Sequence, residues 1–264
     1  GNERALFPHE DIEGIWAGLM DRLLEIPEYR ELFSEAFPGV TANEFRFAHA
    51  AEALAAFQST AFAAIDTPFD RYLRGENRAL SLVEKRGALL FFGKARCAKC
   101  HNGPLLTDQR FHNLAIPQLG PGKPPEAPLD YGRYRETGQQ SDLFAFRTPP
   151  LRNVARTGPW MHNGAYGSLP LAVRHHLIPV LALRQYDPSH LPDELRDSLQ
   201  RRPSLIRALI LGIMASSYRP IPLRESEFQQ LMAFLHTLTS PSLDSLDRWI
   251  PDRVPSGLPV DRFD

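Results

Sequence analysis

The stretch Cys97-Ala98-Lys99-Cys100-His101 constrains this chain more than any other. Two thiols three residues apart, followed at once by an imidazole, form the attachment pattern of a c-type haem. The thiols can form thioether bonds to a porphyrin, and His101 is then placed to offer its ring to the iron. Two other readings use the same residues. A Cys-x-x-Cys pair serves as a redox dithiol or as half of a zinc site. A zinc site needs further ligands at similar spacing, and the sequence holds no cysteine besides Cys97 and Cys100. A redox pair has no use for His101.

The rest of the composition sets outer bounds. A chain of 264 residues buries a substantial core of one or two units, so a haem domain plus an additional helical region is the natural division. Lys and Arg number 30 against 31 for Asp and Glu, which gives no electrostatic case for nucleic acid or an acidic membrane surface. A partner is then recognised by local patches. No apolar run reaches the roughly 18 residues of a membrane span, and no basic-plus-apolar signal segment opens the sequence. With both cysteines in the motif, no disulfide reports on the compartment. Attachment of c haem takes place outside the bacterial cytoplasm as a rule, so a periplasmic or cell-surface location is expected.

Helical periodicity dominates, and the expected fold class is all-α: a cytochrome c-like haem domain with an additional N-terminal helical segment. Thr41 to Glu44 has the spacing of a capping box, and Phe47, Leu54 and Phe57 recur after it as one buried face. A second box, Ser81 to Glu84, opens a helix that carries Leu89 and Leu90 toward Gly93, just before the motif. Phe228, Leu231, Leu235 and Leu238 mark one stripe of a closing helix that begins after Pro220 and Pro222. From Pro117 to Pro128, five prolines and two glycines forbid continuous helix and predict an ordered loop or a surface excursion. The tail from Pro241, with Pro251, Pro255, Gly257 and Pro259, reads as extended.

Around the motif the residues become specific. Thr67-Pro68-Phe69-Asp70-Arg71-Tyr72-Leu73-Arg74-Gly75 precedes it. Thr107-Asp108, Phe111-His112-Asn113, Gly132-Arg133, Thr137-Gly138, Thr148-Pro149-Pro150-Leu151-Arg152-Asn153-Val154 and Thr157-Gly158-Pro159-Trp160-Met161-His162-Asn163-Gly164 follow it. Over nearly its whole length the chain resembles the C-terminal half of the bacterial dihaem cytochrome c peroxidase and MauG family. Its tail, Asp252-Arg253-Val254-Pro255-Ser256-Gly257-Leu258-Pro259-Val260, is similar to that of the MbnH-like branch.

That resemblance implies a division into 1–75, a helical segment joining to an N-terminal haem domain; 76–240, the cytochrome c-like domain; and 241–264, an extended tail. It implies that this chain carries the six-coordinate electron-transfer haem. The sequence holds a single Cys-x-x-Cys-His, so the peroxide-binding haem, and with it the catalytic residues, is expected upstream. In the family the sixth ligand is a methionine or a tyrosine nineteen residues after the threonine of a Thr-x-Pro motif. Counting from Thr157 lands on His176, with Met161 and His175 as the competing ligands. A bis-histidine iron has a lower potential than a His/Met one. Backbone carbonyls of Thr157 and Pro159 resemble those that bind a calcium ion between the two haems, and carbonyl oxygen suits such a hard cation. Arg133 and Arg152 match haem propionates by their forked geometry, and equally suit tying loops together. His112, His162 and Trp160 read as packing or hydrogen-bonding residues.

The implied function is a haem c oxidoreductase that uses hydrogen peroxide to oxidise a partner protein side chain, tryptophan in the MbnH-like branch, or a small redox donor protein. The alternatives are a classical cytochrome c peroxidase and a monohaem electron-transfer module.

Overall fold

A computed structural model of the chain describes residues 11–216 and 218–260. Residues 1–10 and 261–264, the outer ends of the segments expected at 1–75 and 241–264, lie outside the described residues. The fold is mostly α-helical and cytochrome c-like. Its described strands are β1 (Phe111–His112) and β2 (Phe146–Arg147), paired antiparallel with Phe111 opposite Arg147. The chain forms two compact units, residues 1–63 with 241–264, and residues 64–240.

The first unit holds α1 (Ile12–Leu24), α2 (Pro27–Ala36) and α3 (Phe47–Ala61) around Met20, Phe33, Phe45 and Ala50. Asp11 caps α1 by accepting from the Gly14 amide at 2.8 Å, and Pro27 sits in the first turn of α2, where its missing N–H costs nothing. The Thr41–Glu44 capping box forms, with the Thr41 amide 2.9 Å from Glu44 Oε2, but it closes a single 3-10 turn and does not open α3. Phe45 is extended and turns into the core between them. No residue of the expected stripe Phe47, Leu54 and Phe57 is fully buried. Ala50 and Ala61 are covered and Phe47 stacks on Trp16, whereas Leu54 and Phe57 are 56% and 42% exposed. The tail is not simply extended: Pro241–Trp249 forms 3-10 turns kinked at Ser245, and Trp249 meets Phe57 edge-on.

The second unit contains α4 (Pro68–Leu73), α5 (Leu82–Phe92), α6 (Tyr134–Thr137), α7 (Leu169–Leu177), α8 (Pro179–Arg184), α9 (Asp193–Asp197), α10 (Pro203–Ala215) and α11 (Glu225–His236). Reciprocal capping boxes open two of them, Thr67 with Asp70 at α4 and Ser81 with Glu84 at α5. The main core lies between α5 and α11. Phe228, Leu231, Leu235 and Leu238 are all buried, as their spacing predicts, together with Phe91. On α5, Leu89 points outward and Phe91 takes the core position. The two helices touch at Gly87, where a methyl group would collide with the Gln230 carbonyl and Phe234. Glycine here is a matter of close approach.

Lys94, just past α5, reaches both carboxylate oxygens of Glu227 at 2.7 and 2.8 Å and ties the end of α5 to the start of α11. The proline-rich loop is ordered and in part internal. Residues from Ala115 to Gly120 are buried, and Pro117, Gln118 and Gly120 bond to Asn163, Gln200 and Ser198 respectively.

Two outcomes test this packing. Gly87→Ala forces α5 from α11 and should cost about 1–3 kcal/mol in urea unfolding. The hydrogen bonds of Lys94, ahead of the Arg224 amide, hold the Glu227 carboxyl down to about 2 from 4.5. A depressed folded value contributes stability above the unfolded value and loses it as pH falls through the folded one. Lys94→Ala should therefore be less stable than wild type at neutral pH, and the difference should shrink as pH falls from about 4.5 to about 2. Urea unfolding at a series of pH values reads this directly.

Candidate functional site

Helix α5 delivers the motif. After Gly93 the chain passes through Arg96, whose φ of 56° lies in the left-handed region, into one 3-10 turn, Cys97–Lys99. The amides of Cys100 and His101 both bond back to the Cys97 carbonyl, at 3.2 and 2.9 Å, and the Asp108 amide bonds to the Cys100 carbonyl at 2.7 Å. Both cysteines are free thiols. Burial above all pushes the Cys97 thiol up to about 12, and burial likewise raises Cys100.

His101 and His176 come together although 75 residues separate them, with ring centroids 6.3 Å apart and planes at 57°. His101 donates from Nδ1 to the Leu106 carbonyl at 3.1 Å, and His176 from Nδ1 to the Ala172 carbonyl at 2.8 Å, one turn back along α7. Each ring is thereby fixed in the tautomer that leaves Nε2 as a bare lone pair, the arrangement a metal-ligating histidine needs. A gap of 6.3 Å between centroids takes a metal ion with bonds of about 2 Å to each ring. Burial keeps both rings neutral: His101 is lowered to about 4, with the facing His176 adding to the effect, and His176 is lowered chiefly by its own burial.

The competing ligands are placed differently. His175 uses both ring nitrogens, Nδ1 with Tyr166 Oη and Nε2 with the Leu114 carbonyl, each at 2.7 Å, and is fully buried. Its one ring lone pair, at Nδ1, is taken by the Tyr166 hydroxyl. Met161 packs against the cluster that contains Ile116, Tyr166 and Tyr186, a different one from the cluster that receives Cys97 and Ala98.

A haem c fits these residues on a further observation. Tyr218 Oη is buried with no hydrogen-bond partner, and burial, then Cys97 and Cys100, raise its pKa. The segment after it runs beside the end of α7, with the Ile221 amide on the Leu177 carbonyl at 2.9 Å. An orphaned phenol next to both motif cysteines suits the wall of a cofactor slot. Sequence reasoning missed it, because a lone tyrosine carries no spacing signal.

Arg152 serves the loops: it forks onto Asp70 at 2.7 and 3.0 Å and also donates to the carbonyls of Ala64 and Pro104. Burial alone raises the Asp70 carboxyl, but its bonds to Arg152 and Thr67 outweigh this and hold it below the usual range. Arg133 pairs with Asp142 at 3.3 Å and lies over the Phe111 ring. His112 locks onto Asp108 at 2.9 Å, His162 stacks on Phe146, and Trp160 Nε1 donates to the Val154 carbonyl. Cys100, Asp108 and His112 bring one donor atom each within 4.8 Å of one another. The Asp108 carboxylate is already engaged there by His112 and by the Arg110 amide. Thr157 and Pro159 are exposed, and no hydrogen bond among the described residues reaches either carbonyl.

A mostly α fold wrapped on a Cys-x-x-Cys-His turn, with a second imidazole facing the first, defines the c-type cytochrome class. The family described as di-haem cytochrome c peroxidase matches residues 3–78. Cytochrome-c peroxidase IdrP1 of Pseudomonas sp. strain SCT is 38% identical over 56% of this chain and 44% of its own. Methylamine utilization protein MauG of Methylorubrum extorquens strain AM1 is 32% identical over 83% of this chain and 52% of its own. Among solved structures, a MauG-like protein associated with microbial copper homeostasis superposes with a TM-score of 0.59 at 28% identity, over 92% of this chain and 69% of that one. The chain belongs to the di-haem cytochrome c peroxidase and MauG family. It spans about half the length of the curated relatives it matches.

The geometry predicts distinct outcomes for adjacent histidines in the haem-loaded ferric protein. His176→Ala should convert a low-spin spectrum to a high-spin one. His175→Gln, whose amide can still meet Tyr166 and Leu114, should leave it low-spin. Electron paramagnetic resonance separates the two, and the reverse pattern would move the ligand to His175.

Proposed function

We propose that this chain carries the six-coordinate, electron-transferring haem c of a peroxide-dependent oxidoreductase. The observation that carries the reading is the pair of facing rings, each with Nδ1 tied to a carbonyl and Nε2 directed to neither backbone nor side chain. Cys97 and Cys100 would hold the porphyrin by thioether bonds, and His101 and His176 would give their Nε2 lone pairs to its iron. When bound, the haem supplies reversible one-electron exchange. The protein's part is to hold two neutral imidazoles in place, exclude water and set a low potential by giving the iron histidine instead of methionine.

With His101 and His176 both committed to the iron, peroxide would need a second haem, which we place outside these residues. We read the oxidised target as a side chain of a partner protein, tryptophan in particular. The likeness to MauG and to a MauG-like protein of copper homeostasis supports this over a small redox donor protein, as does a histidine where typical peroxidases place methionine. A calcium ion at the unengaged carbonyls of Thr157 and Pro159 would tie the two haem regions together. The periplasm is the expected compartment, and no described helix is long and apolar enough to cross a membrane.

Intact protein mixed with hydrogen peroxide and its companion protein should add oxygen mass to the companion, located by mass spectrometry. Brisk oxidation of a reduced small cytochrome with no mass change on the companion would assign a plain peroxidase instead.

A further inference from the structure

A buried phenol commonly gives its proton to a carbonyl, and Tyr186 does so, donating to Ala165. The Tyr218 hydroxyl has no partner among the described residues. Tyr166 differs from both. Its Oη lies 2.7 Å from His175 Nδ1, while His175 Nε2 lies 2.7 Å from the Leu114 carbonyl. A carbonyl only accepts, so Nε2 carries the ring proton, Nδ1 is a bare lone pair, and Tyr166 donates to it. This is a phenol hydrogen-bonded to a base, with Tyr166 5% and His175 0% exposed. His175 immediately precedes His176, so one hydrogen bond and one peptide link connect the phenol to the residue whose ring faces His101.

We propose that Tyr166 is a redox-active side chain that returns one electron to the haem between His101 and His176 after that haem has been oxidised. The proposal rests on the haem reading above; the oxidant is that haem after it has given up one electron to a second, peroxide-oxidised haem. The phenol loses one electron, which reduces the haem by one. Its O–H bond breaks as the proton crosses the existing hydrogen bond, and an N–H bond forms at His175 Nδ1. A neutral phenoxyl radical and an imidazolium remain, the imidazolium still donating to Leu114, and no proton enters or leaves the interior. Tyr186, with its ring 5.3 Å from that of Tyr166, has only a carbonyl to receive a proton and cannot follow the same course. The oxidising equivalent therefore rests on Tyr166.

The haem-loaded chain can be oxidised by a photoexcited ruthenium tris-bipyridine with an irreversible electron acceptor, followed by transient absorption and frozen for electron paramagnetic resonance. Wild type should show the oxidised-haem transient decaying as a neutral tyrosyl radical rises. In Tyr166→Phe the radical should be lost and the transient persist, whereas Tyr186→Phe should match wild type. A purely structural hydroxyl would leave the radical yield of Tyr166→Phe unchanged, and that result overturns the proposal. Should Tyr166→Phe fold poorly, wild type with isotope-labelled histidine decides the matter. Double resonance must show the radical hydrogen-bonded to a protonated nitrogen, and a radical without that coupling, or no radical, also overturns it. Pyridine haemochrome absorbance on the same samples keeps the layers apart. Wild type without haem removes the haem reading and this inference together; full haem content with an unchanged radical in Tyr166→Phe removes this inference alone.

Discussion

Two imidazole rings stand 6.3 Å apart in this fold, each held by a hydrogen bond from Nδ1 to a main-chain carbonyl, and most of the surrounding structure serves to keep them so. An iron ligand must be both aimed and in the right tautomer, and one bond per ring does both. The Leu106 carbonyl belongs to the loop that follows the motif. Thr107 anchors that loop by donating to the Thr148 carbonyl at 2.6 Å, and the β1–β2 pair holds its return. The Ala172 carbonyl belongs to α7 itself, so the orientation of His176 is set within one helical turn.

Larger elements position these two local devices. The α5–α11 contact at Gly87, closed by Lys94 and Glu227, fixes where the motif emerges from α5. Arg152 joins the loop after the motif at Pro104 to the cap of α4 at Asp70, and so occupies the fork that would otherwise match a propionate. On the opposite side, His175 anchors α7 through Leu114 and Tyr166, which leaves the next residue free to turn toward His101. Adjacent histidines on one helix point to different sides, and here they take different tasks.

What was legible in the sequence was local. The motif, the capping boxes at Thr67 and Ser81 and the 228, 231, 235, 238 stripe are written in spacings of a few residues, and the structure realises them. Spacing misled along α3: Leu54 and Phe57 have the period of a buried stripe and lie exposed, because period reports amphipathicity and says nothing of what covers it. It also misled at Thr41, whose box is genuine but closes a turn that Phe45 interrupts. The facing of His176 and His101 spans 75 residues and was reached only by counting along a family motif. No count separates His175 from His176; the hydrogen bonds at both nitrogens of His175 do. Tyr166 and Tyr218 were silent, since a phenol's chemistry depends on the one atom its hydroxyl meets.

The central claim is an iron held between His101 and His176. Near-infrared magnetic circular dichroism of the ferric haem-loaded protein reads the axial pair directly, because the charge-transfer band of a low-spin haem shifts with the identity of its two ligands. The account predicts the band position of a bis-imidazole haem. A band at the imidazole–thioether position would place Met161 on the iron and contradict it.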